Sequence, residues 1–196
     1  MGVHRGADDR KCRAPRRSYD VLVHPGLHVD LPVGAEGTDG NGRSYMATEK
    51  GYEVLFVCVH NAGRSQMARA LFNDRAAHCG LPCRAESAGA EPAAAVYTIV
   101  AVAMREVGLE MAYARPQVLT NEMVAAARRV FTMGCAVDAG VCPSVSLKRV
   151  DDWALPDPRG KPIGEVRIIR DDIRRRVEKL IGEFEREDAR RVVDKS

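Results

Sequence analysis

The chain has little of what a membrane or a nucleic acid would require. No uninterrupted apolar run in its 196 residues approaches the ~20 needed to cross a bilayer as a helix. Its first residues are polar and lack the apolar centre of a secretory signal. Charge of one sign is scarce too: the formal net charge is +3, and basic and acidic residues alternate instead of forming a patch. A nucleic-acid partner is therefore not expected, nor is a membrane. Six cysteines in a chain of this length are too sparse for a small secreted disulfide scaffold. A cytoplasmic location follows as the expectation, with reduced cysteines, any conspicuous one of which is a candidate for reactivity.

What is present falls into two parts. Residues 1–45 include "HPGLHVDLPVGAEGTDGNGRS", which is rich in Gly, Pro and Asp and has no sustained period of 2 or 3.6. They are expected to be a disordered or loosely attached extension. Met46 opens "MATEKGYEVLFVCVH", an ordinary domain start, so the extension is a candidate start-site artefact and residues 46–196 the domain. His4, His24, His28 and Cys12 read as solvated tail residues, not metal ligands.

From residue 52 onward strand and helix signals alternate. Glu53–Val57 is a short apolar run suited to a buried parallel strand. Ser65–His78 has a helical pattern, Arg84–Ser87 a strand-like one. Val96, Ile99, Val100, Ala103, Met104 and Val107 recur at helical spacing and stop at Gly108. A further helix is expected at Asn121–Ala127, and strands at Arg129–Met133 and Leu147–Val150. The last helix carries one stripe of Val166, Ile169, Ile173, Val177, Leu180 and Phe184, with its charges outside it. This alternation implies an α/β fold, a parallel sheet with helices on both faces. Ligands of such sheets sit beyond the carboxyl ends of the strands, where Cys58 falls.

The stretch "VLFVCVHNAGRSQMARALF", Val54 to Phe72, joins that strand to that helix. A short loop at a helix N-terminus turns backbone N–H groups inward as an anion nest, reinforced by the helix dipole. Val59, His60, Asn61, Ala62, Gly63, Arg64 and Ser65 would form it, with Gly63 making the sharp turn. Arg64 adds a planar fork suited to a tetrahedral oxyanion. The same positive field favours the thiolate of Cys58, to which Ser65 can donate a hydrogen bond. The competing reading of Cys58 as a small buried hydrophobe does not account for the Gly, the Arg-Ser pair and the following helix.

Cys58-Val-His-Asn-Ala-Gly-Arg64-Ser65 resembles the phosphate-binding loop of the low-molecular-weight protein tyrosine phosphatase family. Its continuation Gln66-Met67-Ala68 is more similar to the arsenate reductase branch. The resemblance covers about residues 52–182 of the sequence. It implies a four-stranded parallel sheet in flavodoxin-like order 2-1-3-4, with the first strand central.

The resemblance implies further roles. In "TMGCAVDAGVCP", Cys135 and Cys142 match the spacing and following Pro143 of thioredoxin-coupled arsenate reductases. Cys58 would attack arsenate, Cys135 would form a disulfide with Cys58 as arsenite leaves, and Cys142 would move the disulfide to 135–142. In a regular helix Cys135 and Cys142 would stand ~10.5 Å apart, beyond the ~7 Å that a disulfide tolerates. The segment is therefore expected to unwind on oxidation. In "DDWALPDPRG", Asp157-Pro158 aligns with the family's general acid. Arg159-Gly160 follows where the tyrosine phosphatases place an aromatic, which disfavours an aryl phosphate. Asp151 and Asp152 read as solvated carboxylates, Trp153 as packing.

Some relatives hold potassium beneath the loop with an Asn, a Glu and a Ser. Asn61 and Ser87 match, but Arg69 stands at the Glu position, which argues against potassium; Arg69 itself would supply the positive charge. "HCGLPC", His78 to Cys83, has too few ligands for structural zinc and reads as buried thiols. No tightly bound cofactor is expected, and a thioredoxin-like protein would donate electrons. Arsenate would be the substrate, with phosphate or sulfate competing. The alternatives are a low-molecular-weight phosphatase, a mycothiol-type arsenate transferase in which Cys142 is dispensable, and a non-enzymatic oxyanion or redox sensor.

Overall fold

A computed structural model describes residues 52–134 and 150–193, with side chains described to 190, and a strand pair at 36–38 and 44–46. Strand β1 (Glu36–Thr38) pairs antiparallel with β2 (Ser44–Met46), Gly37 opposite Tyr45. These two lie in a compact unit spanning Arg16–Gly51, separate from the unit that holds Tyr52–Ser196. His4, Cys12, His24 and His28 lie outside the described residues.

In the larger unit β3 (Val54–Cys58) leads through α1 (Arg64–His78) to β4 (Ala85–Gly89), then to α2 (Thr98–Arg105) and α3 (Asn121–Ala126). Strands β5 (Arg129–Thr132) and β6 (Val150–Asp152) precede the long helix α4 (Ile163–Val193). The four strands form one parallel sheet in the order β4-β3-β5-β6, the flavodoxin-like order 2-1-3-4 with the first of them inside. Val54 is in register with both Ala85 and Arg129, so the carboxyl ends of β3, β4 and β5 share an edge.

Side-chain alternation along β3 explains its uninterrupted apolar run. Val54 and Phe56 face a core made with α1, α2 and α4, while Leu55 and Val57 face a smaller one with Leu119, Val124 and Val130. A strand covered on both faces has no polar side. All six stripe residues of α4 from Val166 to Phe184 are buried. Phe56, Phe131 and Trp153 meet at centroid separations of 5.1 to 5.7 Å, which seats Trp153 in the core as packing.

Several expectations need correction. The last strand is described from Val150 to Asp152, two residues past its expected end, and residues 147–149 lie outside the described ones. Asp151 and Asp152 therefore close a strand instead of standing on a solvated loop. Asp152 Oδ1 accepts from the Thr132 hydroxyl (2.9 Å) and from the amides of Gly134 (2.8 Å) and Ala154 (3.2 Å). Burial opposes it, but these hydrogen bonds hold its carboxyl below the ordinary value. At the corner after α1, Cys83 is a buried free thiol, and burial followed by the charges of Glu53 and Asp188 pushes it up to about 12. Cys79 is disulfide-bonded, so the expectation of two buried thiols holds for Cys83 alone. No helix among the described residues is long and apolar enough to cross a membrane.

Ile173 lies at the centre of the α4 stripe and is fully buried. Ile173→Ala should lower the free energy of unfolding by about 2–5 kcal/mol, read as a lower urea midpoint at unchanged slope.

Candidate active site

The loop from Cys58 to Ser65 is shaped by where its carbonyls go. Val59, His60 and Ala62 turn theirs to the segment after β4, accepting from the amides of Glu91, Ala93 and Tyr97 at 2.9 Å each. Across a trans peptide the N–H points opposite to the C=O. The amides of His60, Asn61 and Gly63 are thereby aimed to the inside of the loop. The Asn61 amide meets Cys58 Sγ at 3.2 Å, and the loop ends on the N-terminus of α1, whose dipole adds positive potential.

The close fit with the second strand depends on Gly89. A Cβ there would stand 2.5 Å from the Val59 carbonyl oxygen and 2.8 Å from the Asn61 nitrogen. The positive φ of the loop is at Asn61, 46°, a conformation Asn tolerates better than most residues. At Gly63 a Cβ would meet Pro158 Cγ at 2.6 Å, so the glycine also admits that close approach.

Cys58 is 2% exposed and its sulfur lies 3.0 Å from Ser65 Oγ. The proton's direction follows from the neighbours. The backbone N–H of Gln117 donates to Asn61 Oδ1 at 2.9 Å, which fixes the amide so that Nδ2 donates to Ser65 Oγ at 2.8 Å. Ser65 already accepts from Asn61, so its own O–H is free to turn to the sulfur.

Arg64 is buried, and three of its donors are taken. Nη1 donates to the carbonyls of Met133 (2.6 Å) and Leu155 (2.9 Å), and Nη2 to Asp157 Oδ2 (2.8 Å). A guanidinium has five N–H donors, which leaves two to offer an anion. Asp157 Oδ1 also accepts the amide of Arg159 at 2.9 Å. The structure thus brings together Cys58, the loop, Arg64, Ser65 and Asp157. Cys135 and Cys142 lie outside the described residues, as does the segment expected to unwind between them.

One residue at the rim was not foreseen. Tyr97 caps α2, and a Cβ at Gly63 would lie 3.6 Å from its ring. Burial, then the Asp157 carboxylate, raise its phenol above the ordinary range, with Arg159, Cys58 and Arg64 also within reach of its charge. Gln66 and Gln117, which fix the orientation of Asn61, also escaped the sequence reading.

The strand order and a Cys-x5-Arg loop following the central first strand define the class, an α/β fold of the phosphatase type. The chain belongs to the low molecular weight phosphotyrosine protein phosphatase family, whose model matches residues 53–190. The arsenate reductase of Brevibacillus brevis is 32% identical over 129 residues, 65% of this chain and 92% of that protein. A thioredoxin-dependent arsenate reductase from Corynebacterium glutamicum superposes with a TM-score of 0.57 at 32% identity, covering 71% of this chain and 65% of that one. An arginine phosphatase from Geobacillus stearothermophilus gives a TM-score of 0.62 at 26% identity, covering 71% and 96%.

Of the three positions at which some relatives hold potassium, two carry groups already engaged with protein partners. Asn61 Oδ1 already accepts from Gln66 Nε2 and the Gln117 amide, and Arg69, a donor-only group, binds Gln66 Oε1 at 3.2 Å.

Ser65→Ala removes the hydroxyl on the sulfur. A hydrogen bond to a charged group is worth about 1.5–3 kcal/mol, so alkylation of Cys58 by iodoacetamide at neutral pH should slow by roughly 10- to 100-fold. Peptide mass spectrometry measures the rate, and the thermal midpoint should stay near wild type.

Proposed function

We propose that the chain is an arsenate reductase in which Cys58 captures arsenate and Cys135 and Cys142 carry the electrons. The observation that supports this most is the place where β5 ends. The Met133 carbonyl is bound to Arg64 Nη1, and a Cβ at Gly134 would lie 3.4 Å from that nitrogen. Gly134 precedes Cys135, and successive Cα atoms are about 3.8 Å apart. The reductase names of two of the similar proteins favour the same reading.

The loop amides and the free donors of Arg64 hold the tetrahedral dianion above Cys58. The thiolate attacks arsenic, an As–S bond forms, and Asp157 protonates the departing oxygen so that it leaves as water. The Cys135 thiolate then attacks Cys58 sulfur. The As–S bond breaks with its electron pair going to arsenic, arsenite leaves, and a 58–135 disulfide remains. Cys142 attacks Cys135 and frees Cys58. A thioredoxin-like dithiol reduces the 135–142 disulfide and takes the oxidation away. This chemistry uses no tightly bound cofactor and suits a reducing cytoplasm.

A second reading has its own support. Tyr97 brings an aromatic ring to the rim where Arg159-Gly160 supplies none, so a phosphatase that accepts an organic phosphate is the rival. A mycothiol-type transferase and an oxyanion sensor use the same loop without Cys142 or without turnover.

Incubation with arsenate, thioredoxin, thioredoxin reductase and NADPH separates these. The reductase consumes NADPH only when arsenate is present, and Cys135→Ser or Cys142→Ser abolishes that consumption while leaving aryl-phosphate hydrolysis intact. Hydrolysis without NADPH loss overturns the proposal in favour of the phosphatase. Asp157→Asn should lower turnover by about 100-fold or more.

A further inference from the structure

We propose that Arg69 is a positioning residue for Cys58: its guanidinium stands in for a metal cation behind the loop and orients a relay, Gln66–Asn61–Ser65, that ends on the sulfur. The proposal rests on Cys58 being the nucleophile and is indifferent to whether arsenic or phosphorus is attacked.

Arg69 follows Gln66 by three positions and Ser65 by four on α1, so the three share one helix face. Arg69 Nη2 donates to Gln66 Oε1 at 3.2 Å. A guanidinium cannot accept, so this bond fixes the Gln66 amide with Nε2 turned the other way. Nε2 then donates to Asn61 Oδ1 at 3.1 Å and to the Arg115 carbonyl at 3.0 Å. With Oδ1 committed, Asn61 Nδ2 donates to Ser65 Oγ at 2.8 Å, which leaves the serine proton free to turn to Cys58 at 3.0 Å. Reversing Gln66 would set two carbonyl oxygens against each other, and the donor-only group at the head of the chain forbids that. The Gln117 amide holds Asn61 from a second side, so loss of Arg69 weakens the relay without dissolving it.

The charge is retained as well as the orientation. Arg69 Nη1 lies 3.9 Å from Glu86 Oε2, a longer approach than a close ion pair, and Glu86 is also 3.8 Å from Arg84. Arg69 Nε is buried without a hydrogen-bond partner, and so is Ser87 Oγ. At the mouth of the loop Tyr97 is within reach of the charges of Asp157, Arg159, Cys58 and Arg64, while the His60 ring turns to the Glu91 carbonyl at 3.1 Å.

The test follows iodoacetamide alkylation of Cys58 at neutral pH without arsenate or reductant, by peptide mass spectrometry, in KCl and in choline chloride of equal ionic strength. Wild type should react at one rate in both salts. Arg69→Met should slow the reaction by about tenfold, the effect of losing roughly one hydrogen bond, at a near-normal thermal midpoint. Arg69→Lys, which keeps the charge, should stay within about threefold of wild type. A saturable acceleration of wild type by KCl overturns the proposal and needs no variant. So does an Arg69→Met protein that reacts like wild type, or an Arg69→Lys protein as slow as Arg69→Met. Failure here would leave the arsenate-dependent NADPH assay unaffected, so the two readings fall separately.

Discussion

The arrangement depends on one buried cation. Arg64 leaves the first turn of α1, and its guanidinium is shared between the end of β5 through Met133, the loop before α4 through Leu155, and the carboxylate of Asp157. Burying a charge is costly unless its donors are satisfied, and here two backbone carbonyls and a carboxylate satisfy them. Two stretches distant in sequence, the end of β5 and the loop before α4, are thereby registered to the loop that carries Cys58. Without that shared fork, the acid and the nucleophile would belong to independently moving segments.

The cysteines show how environment, not residue type, sets chemistry. Cys58 and Cys83 are both buried free thiols. Cys58 lies among an inward amide, a serine hydroxyl and a helix N-terminus. Cys83 lies in apolar packing near acidic residues, which raise it toward the neutral form. At Cys83 the burial and the acidic neighbours outweigh the one backbone hydrogen bond that favours a negative sulfur.

The order of strands, the loop after β3 and the α4 stripe were legible because each depends on neighbours close in sequence. A strand covered on both faces reads as a run of apolar residues, and a helix over a core reads as a stripe. Local spacing carries no trace of what the crossovers deliver. Tyr97 reaches the rim because the segment after β4 folds back along the loop. Gln117 reaches Asn61 because its stretch lies beside Gly89, which donates to the Gln117 carbonyl at 3.0 Å. Gly63 was expected for the sharp turn, and two features beyond that were hidden: the positive φ of the loop falls on Asn61, and the missing Cβ of Gly63 leaves room for Pro158. Asp152 was misread because two of its three partners, Thr132 and Gly134, lie at the end of β5 and reach it only once β6 has paired with that strand.

The outward carbonyls of Val59, His60 and Ala62 bear on selectivity. A cradle whose amides are already aimed by the protein's own backbone receives an anion with little rearrangement, and such a cradle senses charge and tetrahedral shape alone. Two dianions alike in both would be gripped equally well. Discrimination between them must then come after capture, from how readily the central atom gives up its bond to sulfur.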